Sequence, residues 1–282
     1  NTPMFAKIFK YEAKEMGWQL LLYLAVGLAV VFASGLLSLT NQSFLATTGT
    51  TIGALVAIII PFLVFIMGSK YYYQTTYGQR GYFTNTLPAS GGTVLGAKSL
   101  WLFISVLLAI CWSCLALGWV IFTQMAGSAG PELSFGDKFV ATWEAIGQLL
   151  QRTPAYLIIT MIVVLLLATA QFVMWVGCFS ALANRFGFAY LSTNKAVTIS
   201  AILLYVVYEA VLALFTFLVP ATLHITTTAG SAQTKLLIGA IFSQTNEGAG
   251  VFIPLGMLGM IPLLIVGYWF AHNSLSRHLS LR

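Results

Sequence analysis

Apolar side chains occur along this chain in long uninterrupted runs, separated by shorter segments that hold nearly all the polar and basic residues. Six runs approach the roughly 20 residues that a helix needs to cross a hydrocarbon core: residues 18–39, 51–68, 100–122, 156–181, 197–219 and 251–271. They are apolar on every side rather than at alternate positions, which predicts helices and not barrel strands, because a helix satisfies each backbone group within its own segment. The pattern predicts an all-α integral membrane protein. Residues 1–282 form one transmembrane domain of six transmembrane helices.

The intervening segments have patterns of their own. In residues 1–17, Phe5, Phe9, Ala13 and Met16 repeat at helical spacing while Lys7, Lys10 and Lys14 occupy another face. That is the pattern of an interfacial helix with lysines towards anionic headgroups. It serves either as a topological anchor or as an elbow that transmits motion into the bundle. Residues 69–98 form the longest cytoplasmic segment, rich in tyrosine (Tyr71, Tyr72, Tyr73, Tyr77 and Tyr82) and bracketed by glycines and Pro88. Exposed aromatics in a polar loop point to a docking partner or a headgroup belt. Outside, in residues 123–155, Ser134 to Asp137 opens an amphipathic helix in which Phe135, Phe139, Trp143, Ile146 and Leu150 recur until Pro154. Residues 221–250 hold a threonine cluster and an apolar stretch too short to span, which predicts a re-entrant or interfacial hairpin.

Composition supports the bilayer as solvent. Only 7% of the 282 residues are charged and 59% are apolar without counting glycine, whereas soluble domains carry about 25% charged residues. A soluble globule of this size leaves roughly a quarter of its unfolded surface exposed and could not hide that much apolar area. This excludes an ordinary cytosolic enzyme, a secreted disulfide scaffold and a disordered tail. It also excludes a nucleic-acid binder, which the net charge of +6 would otherwise have suggested. If the six spans alternate, Lys7, Lys10, Lys14, Lys70, Arg80, Lys98, Arg185, Lys195, Arg277 and Arg282 share one side, against Lys138, Arg152 and Lys235 on the other. Both termini are then cytoplasmic, and the first run is a retained span.

Candidate chemistry is sparse. Cys111, Cys114 and Cys178 lie in apolar runs without a neighbouring histidine or acid, and they read as membrane packing. The stretch Gly91 to Ser99 approaches a phosphate-binding loop, but Ala97 separates Gly96 from Lys98 and a span follows, so it is not one. His224, His272 and His278 lack metal-ligand spacing, and no metal site or catalytic group is expected. Glu209 differs from these. It is the one ionisable residue near the middle of a predicted span, flanked by Tyr205 and Tyr208. A charged carboxylate there costs about 2.5–3.5 kcal/mol, so it should face the bundle interior, a cavity or a partner chain, or be protonated. It is either a structural hydrogen-bonded acid or a pathway or gating residue. In the last run, Gly256 and Gly259 permit close helix approach, and Pro254 and Pro262 permit a bend.

Three stretches carry a resemblance: residues 9–14 before the first span, Tyr77-Gly-Gln-Arg-Gly-Tyr-Phe-Thr-Asn-Thr-Leu-Pro-Ala-Ser90 after the second, and residues 273–281 at the tail. With the six-span layout, they resemble the membrane subunit of a bacterial ATP-binding cassette (ABC) exporter of the ABC-2 permease family, with the type-V exporter architecture. The resemblance implies that the middle stretch is a coupling helix seated in a groove of a separate ABC ATP-binding subunit. Gly78, Gly81, Tyr82, Thr84, Leu87 and Pro88 match the family pattern, with Tyr77, Gln79 and Arg80 in the same segment. Gln79 and Arg80 stand where many relatives carry acidic residues. That implies a differently charged groove on the ATPase, or a second permease that supplies the acidic contact. The implied function is ATP-driven export of a hydrophobic or amphipathic substrate (peptide or lantibiotic, drug or lipid) by a homodimer or heterodimer of permeases. The chain would need no cofactor of its own, with ATP and Mg on the partner subunit. The implied location is the plasma membrane of a Gram-positive bacterium. The alternatives are an ion-coupled secondary transporter, which would need more intramembrane ionisable groups than Glu209, and an intramembrane enzyme, which would need paired catalytic groups.

Overall fold

The computed structural model describes residues 4–40, 42–78, 81, 90–128, 135–152, 155–184, 193–218, 221–228, 231–238, 250–254 and 259–277. The helices are α1 (Met4–Ser38), α2 (Ser43–Thr76), α3 (Gly91–Ser128), α4 (Phe135–Arg152), α5 (Ala155–Ala183), α6 (Thr193–Leu218) and α7 (Met260–Arg277). Strands β1 (Ala221–Thr228), β2 (Ser231–Ile238) and β3 (Gly250–Pro254) lie between α6 and α7. Among the described residues five helices are long and apolar enough to cross a membrane: Met4–Ser38, Ser43–Thr76, Gly91–Ala126, Ile158–Ala183 and Lys195–Leu218. The chain is a helical, multi-pass membrane protein. It divides into two compact units, residues 1–148 and 149–281.

In the first unit α1, α2 and α3 pack against one another pairwise. At 35, 34 and 38 residues, they are over 50 Å long at about 1.5 Å per residue, well beyond a hydrocarbon core of about 30 Å. The excess falls mostly at one end. Residues 4–17, 69–76 and 91–99 continue the helices past the predicted spans. Residues 1–17, expected as a separate interfacial helix, are thus collinear with the first span from Met4 onward. Their buried positions are Ile8, Glu12 and Met16, followed by Leu20, a stripe of period four. The tyrosine-rich segment contracts in the same way: helices claim both its ends, and the connection between α2 and α3 is residues 77–90.

Two local devices let these helices pack closely. Pro61 lies inside α2 and has no N–H, so the Ala57 carbonyl loses its intrahelical donor. The Ser113 hydroxyl of α3 donates to that carbonyl at 2.6 Å, which satisfies the freed group from a neighbouring helix as lipid requires. At the far end, Gly49 of α2 lies on the α1 backbone, where a Cβ would stand 2.5 Å from the Ser34 carbonyl oxygen and 2.9 Å from the Ser38 nitrogen. Leu20, Ile60, Val64 and Ala109 form one buried layer, and Val31, Ala57, Ala116 and Val120 another. Amphipathic α4 forms as its periodicity predicts. It carries Asp137 in its first turn, where the helix dipole favours an acid, and Phe139 packs edge-on against Phe122 at 5.7 Å.

In the second unit α5 packs against both α6 and α7. Gly267 of α7 seats Met174 and Cys178 of α5, and the Cys178 thiol lies 3.3 Å from the Gly267 carbonyl. Cys178 is buried, a packing residue as its sequence context suggests, while Cys111 and Cys114 are free thiols on an exposed face of α3. Gly259 is buried against Phe215 of α6, the close approach foreseen for it.

Two further expectations need correction. The sixth run, 251–271, is not one helix. Its first residues form β3, which ends at Pro254, and α7 begins only at Met260. Segment 221–250 is not confined to a hairpin either. β1 pairs antiparallel with β2 from Thr228↔Ser231 to Ala221↔Ile238, and on its other edge with β3 from Thr222↔Pro254 to Thr226↔Gly250. The sheet order is β2-β1-β3. The physical reason lies in residue type. Val251, Phe252 and Ile253 are apolar enough for a span but β-branched or aromatic, suited to a pleated surface, and Pro254 is tolerated at the end of an edge strand.

Candidate functional site

The helical extensions of the first unit form a polar junction at the end that carries the 77–90 connection. Glu12 comes from α1, Thr75 from the last turn of α2 and Lys98 from the second turn of α3. Each occupies a position on its helix's inward stripe, so packing the apolar neighbours Ile8, Met16, Leu95 and Leu102 carries the polar groups inside. The Lys98 ammonium lies 2.7 Å from Glu12 Oε1, with the two side chains 0% and 10% exposed. It also donates to Thr75 Oγ1 at 2.5 Å. The Thr75 hydroxyl in turn donates to the Tyr71 carbonyl at 2.9 Å, which leaves its lone pairs for the ammonium. A second tie runs parallel: Tyr71 Oη donates to Glu15 Oε2 at 2.8 Å. Two acids one turn apart on α1 therefore hold both other helices.

The junction borders the 77–90 connection at both of its ends. On the α2 side the Tyr77 and Gly78 N–H groups both donate to the Tyr73 carbonyl, at 2.9 and 3.1 Å, and the Gly81 N–H donates to the Gly78 carbonyl at 2.8 Å. A Cβ at Gly78 would stand 2.9 Å from the Gln74 carbonyl oxygen, so the turn requires glycine. On the α3 side Ser90 opens the helix, with its Oγ accepting the Thr93 N–H at 3.3 Å. The helix begins at Gly91, and the stretch that approached a phosphate-binding loop is helical with its lysine buried.

Of the residues expected to couple to an ATPase, Tyr77, Gly78 and Gly81 are placed at the exit from α2. Gln79, Arg80, Tyr82, Thr84, Leu87 and Pro88 lie outside the described residues. Tyr72, Tyr73 and Tyr77 are buried within the extension, the last two with ring centroids 6.1 Å apart. Glu209 belongs to the second unit, on an exposed face of α6. Among the described residues no group of three or more His, Cys, Asp or Glu could hold a metal ion.

Sequence reasoning passed over Glu12, Thr75 and Lys98. The signal was present: Glu12 interrupts the stripe Ile8–Met16–Leu20, and Lys98 stands between Val94 or Leu95 and Leu102 at the same spacing. An acid and a base, each on an apolar stripe of a neighbouring helix, are candidates for one buried pair. No family model, curated protein or solved structure matches this chain.

Proposed function

We propose that this chain is the membrane subunit of an ATP-driven exporter, and that the 77–90 connection is the element through which a separate ATP-binding subunit acts on it. The observation that supports this reading is the mechanical setting of that connection. It is flanked by two helix ends locked to each other and to α1 by the Glu12–Lys98–Thr75 junction. A flexible loop on frayed helices would absorb a push from a partner. A short connection on three rigidly tied helices passes it into the membrane. In this reading ATP and Mg belong to the partner, and the permease shifts between states only if the ATPase binds those states with different affinity. Two permeases, identical or different, would enclose the pathway for a hydrophobic or amphipathic substrate.

The test is co-expression with a cognate ATP-binding subunit. The two should co-purify, and Tyr82→Glu combined with Leu87→Glu should abolish the complex while the permease remains folded in the membrane. A complex that survives both changes refutes the coupling assignment.

A further inference from the structure

Glu209 sits in the middle of α6 with no described basic side chain paired to it. The only other charged residue of α6 is Lys195, more than three turns away, and α5 carries no charged residue. In α7 the basic groups, His272 and Arg277, fall in the second half of the helix and its last turn. None of the 13 Lys and Arg residues of the chain lies in the middle of a predicted span. A second copy of the chain has the same inventory, so dimerisation brings no fixed cation to this depth. A carboxylate at this depth is costly to hold ionised without a positive partner, and a mobile cation can supply one.

The surroundings of Glu209 suit one. Tyr205, four residues earlier and so on the same face of the helix, is 53% exposed. The Tyr205 ring packs beside Trp175 of α5 at 6.3 Å, and Trp175 meets Phe179 edge-on at 5.5 Å. Tyr208 is half-buried next to Glu209. The negative faces of aromatic rings attract cations, most strongly where water is excluded. A small hydrated cation would lose its hydration shell at prohibitive cost to reach this depth. A bulky cation with dispersed charge enters lipid readily and presents apolar surface to the rings.

We propose that Glu209, Tyr205 and Trp175 form a binding site for lipophilic cations on the face of α5 and α6 that carries Tyr205. This deepens the transport reading by naming a substrate class, and it rests on that reading for its role in export. Its test needs no ATPase, so failure of the coupling assignment would leave it standing. Tetraphenylphosphonium is titrated calorimetrically into the purified chain in lipid nanodiscs, with uncharged triphenylphosphine oxide as the control. Glu209→Gln should weaken tetraphenylphosphonium binding about ten-fold or more, the consequence of losing one charge-assisted contact. The same change should leave the neutral control unaltered, and Glu209→Asp should retain most of the cation affinity. Size-exclusion profiles identify any variant that fails to fold. No binding to the unmodified chain overturns the proposal, as does equal affinity of the unmodified and Glu209→Gln proteins.

Discussion

Replacing Lys98 by methionine removes a charge but little volume, and the structure fixes what should follow. At 2.7 Å and an effective dielectric of about 20, the Glu12–Lys98 attraction is about 6 kcal/mol. Desolvating each ion costs several kcal/mol, so the intact pair contributes little net stability. The asymmetry appears when one partner is removed. Lys98→Met strands a carboxylate that is 10% exposed and takes a donor from Thr75, and the expected loss is about 3–5 kcal/mol. The double change Glu12→Leu with Lys98→Met removes both ions and should restore stability to near that of the unmodified protein, or above it. The assay is detergent-induced unfolding in mixed micelles, followed by the fluorescence of Trp101 and Trp112, which lie on α3 beside the junction and along the same helix. A single variant that loses less than about 1 kcal/mol would show that the pair is solvated. A double variant as unstable as the sum of the two singles would show that the side chains act independently. Either result refutes the reasoning.

Further outcomes are expected. Gly49→Ala should destabilise the first unit by about 1–3 kcal/mol, because its Cβ would meet the α1 backbone, which cannot move aside. Gly118→Ala, where nothing stands within 4 Å of the new Cβ, should be neutral or mildly stabilising in the same unfolding assay. In a variant whose three native cysteines are replaced by serine, a cysteine at Ser90 should react with an impermeant maleimide only from the cytoplasmic side. One at Gly136 should react only from outside. The opposite labelling would overturn the orientation read from the basic residues.

Helices α1 to α6 were legible because their signals are local: apolar length for the membrane-crossing segments and a 3.6-residue period for α4. The failures have a common cause. Residues 251–253 satisfied the criterion of apolar length, which counts hydropathy and ignores whether side chains suit a helix or a sheet. The pairing of β1 with β3 joins residues more than twenty positions apart, beyond the reach of any local pattern. The extensions at 4–17, 69–76 and 91–99 were read as interfacial or loop because their polar residues stop the hydropathy count. A helix continues through polar residues when its neighbours bury them in pairs.

The sequence by itself determined the solvent, the helical class, the number of basic residues on each predicted side and the isolation of Glu209. These depend on side-chain transfer energies and on residue order. Only the tertiary structure decided that Glu12 and Lys98 meet, that Ser113 answers the carbonyl freed by Pro61, and that Tyr205, on the Glu209 face of its helix, meets Trp175. Each depends on the rotation and register of one helix against another. That register is set by where glycines allow backbones to approach and where large side chains fill the space between them, a property of pairs of helices that no single run of residues contains.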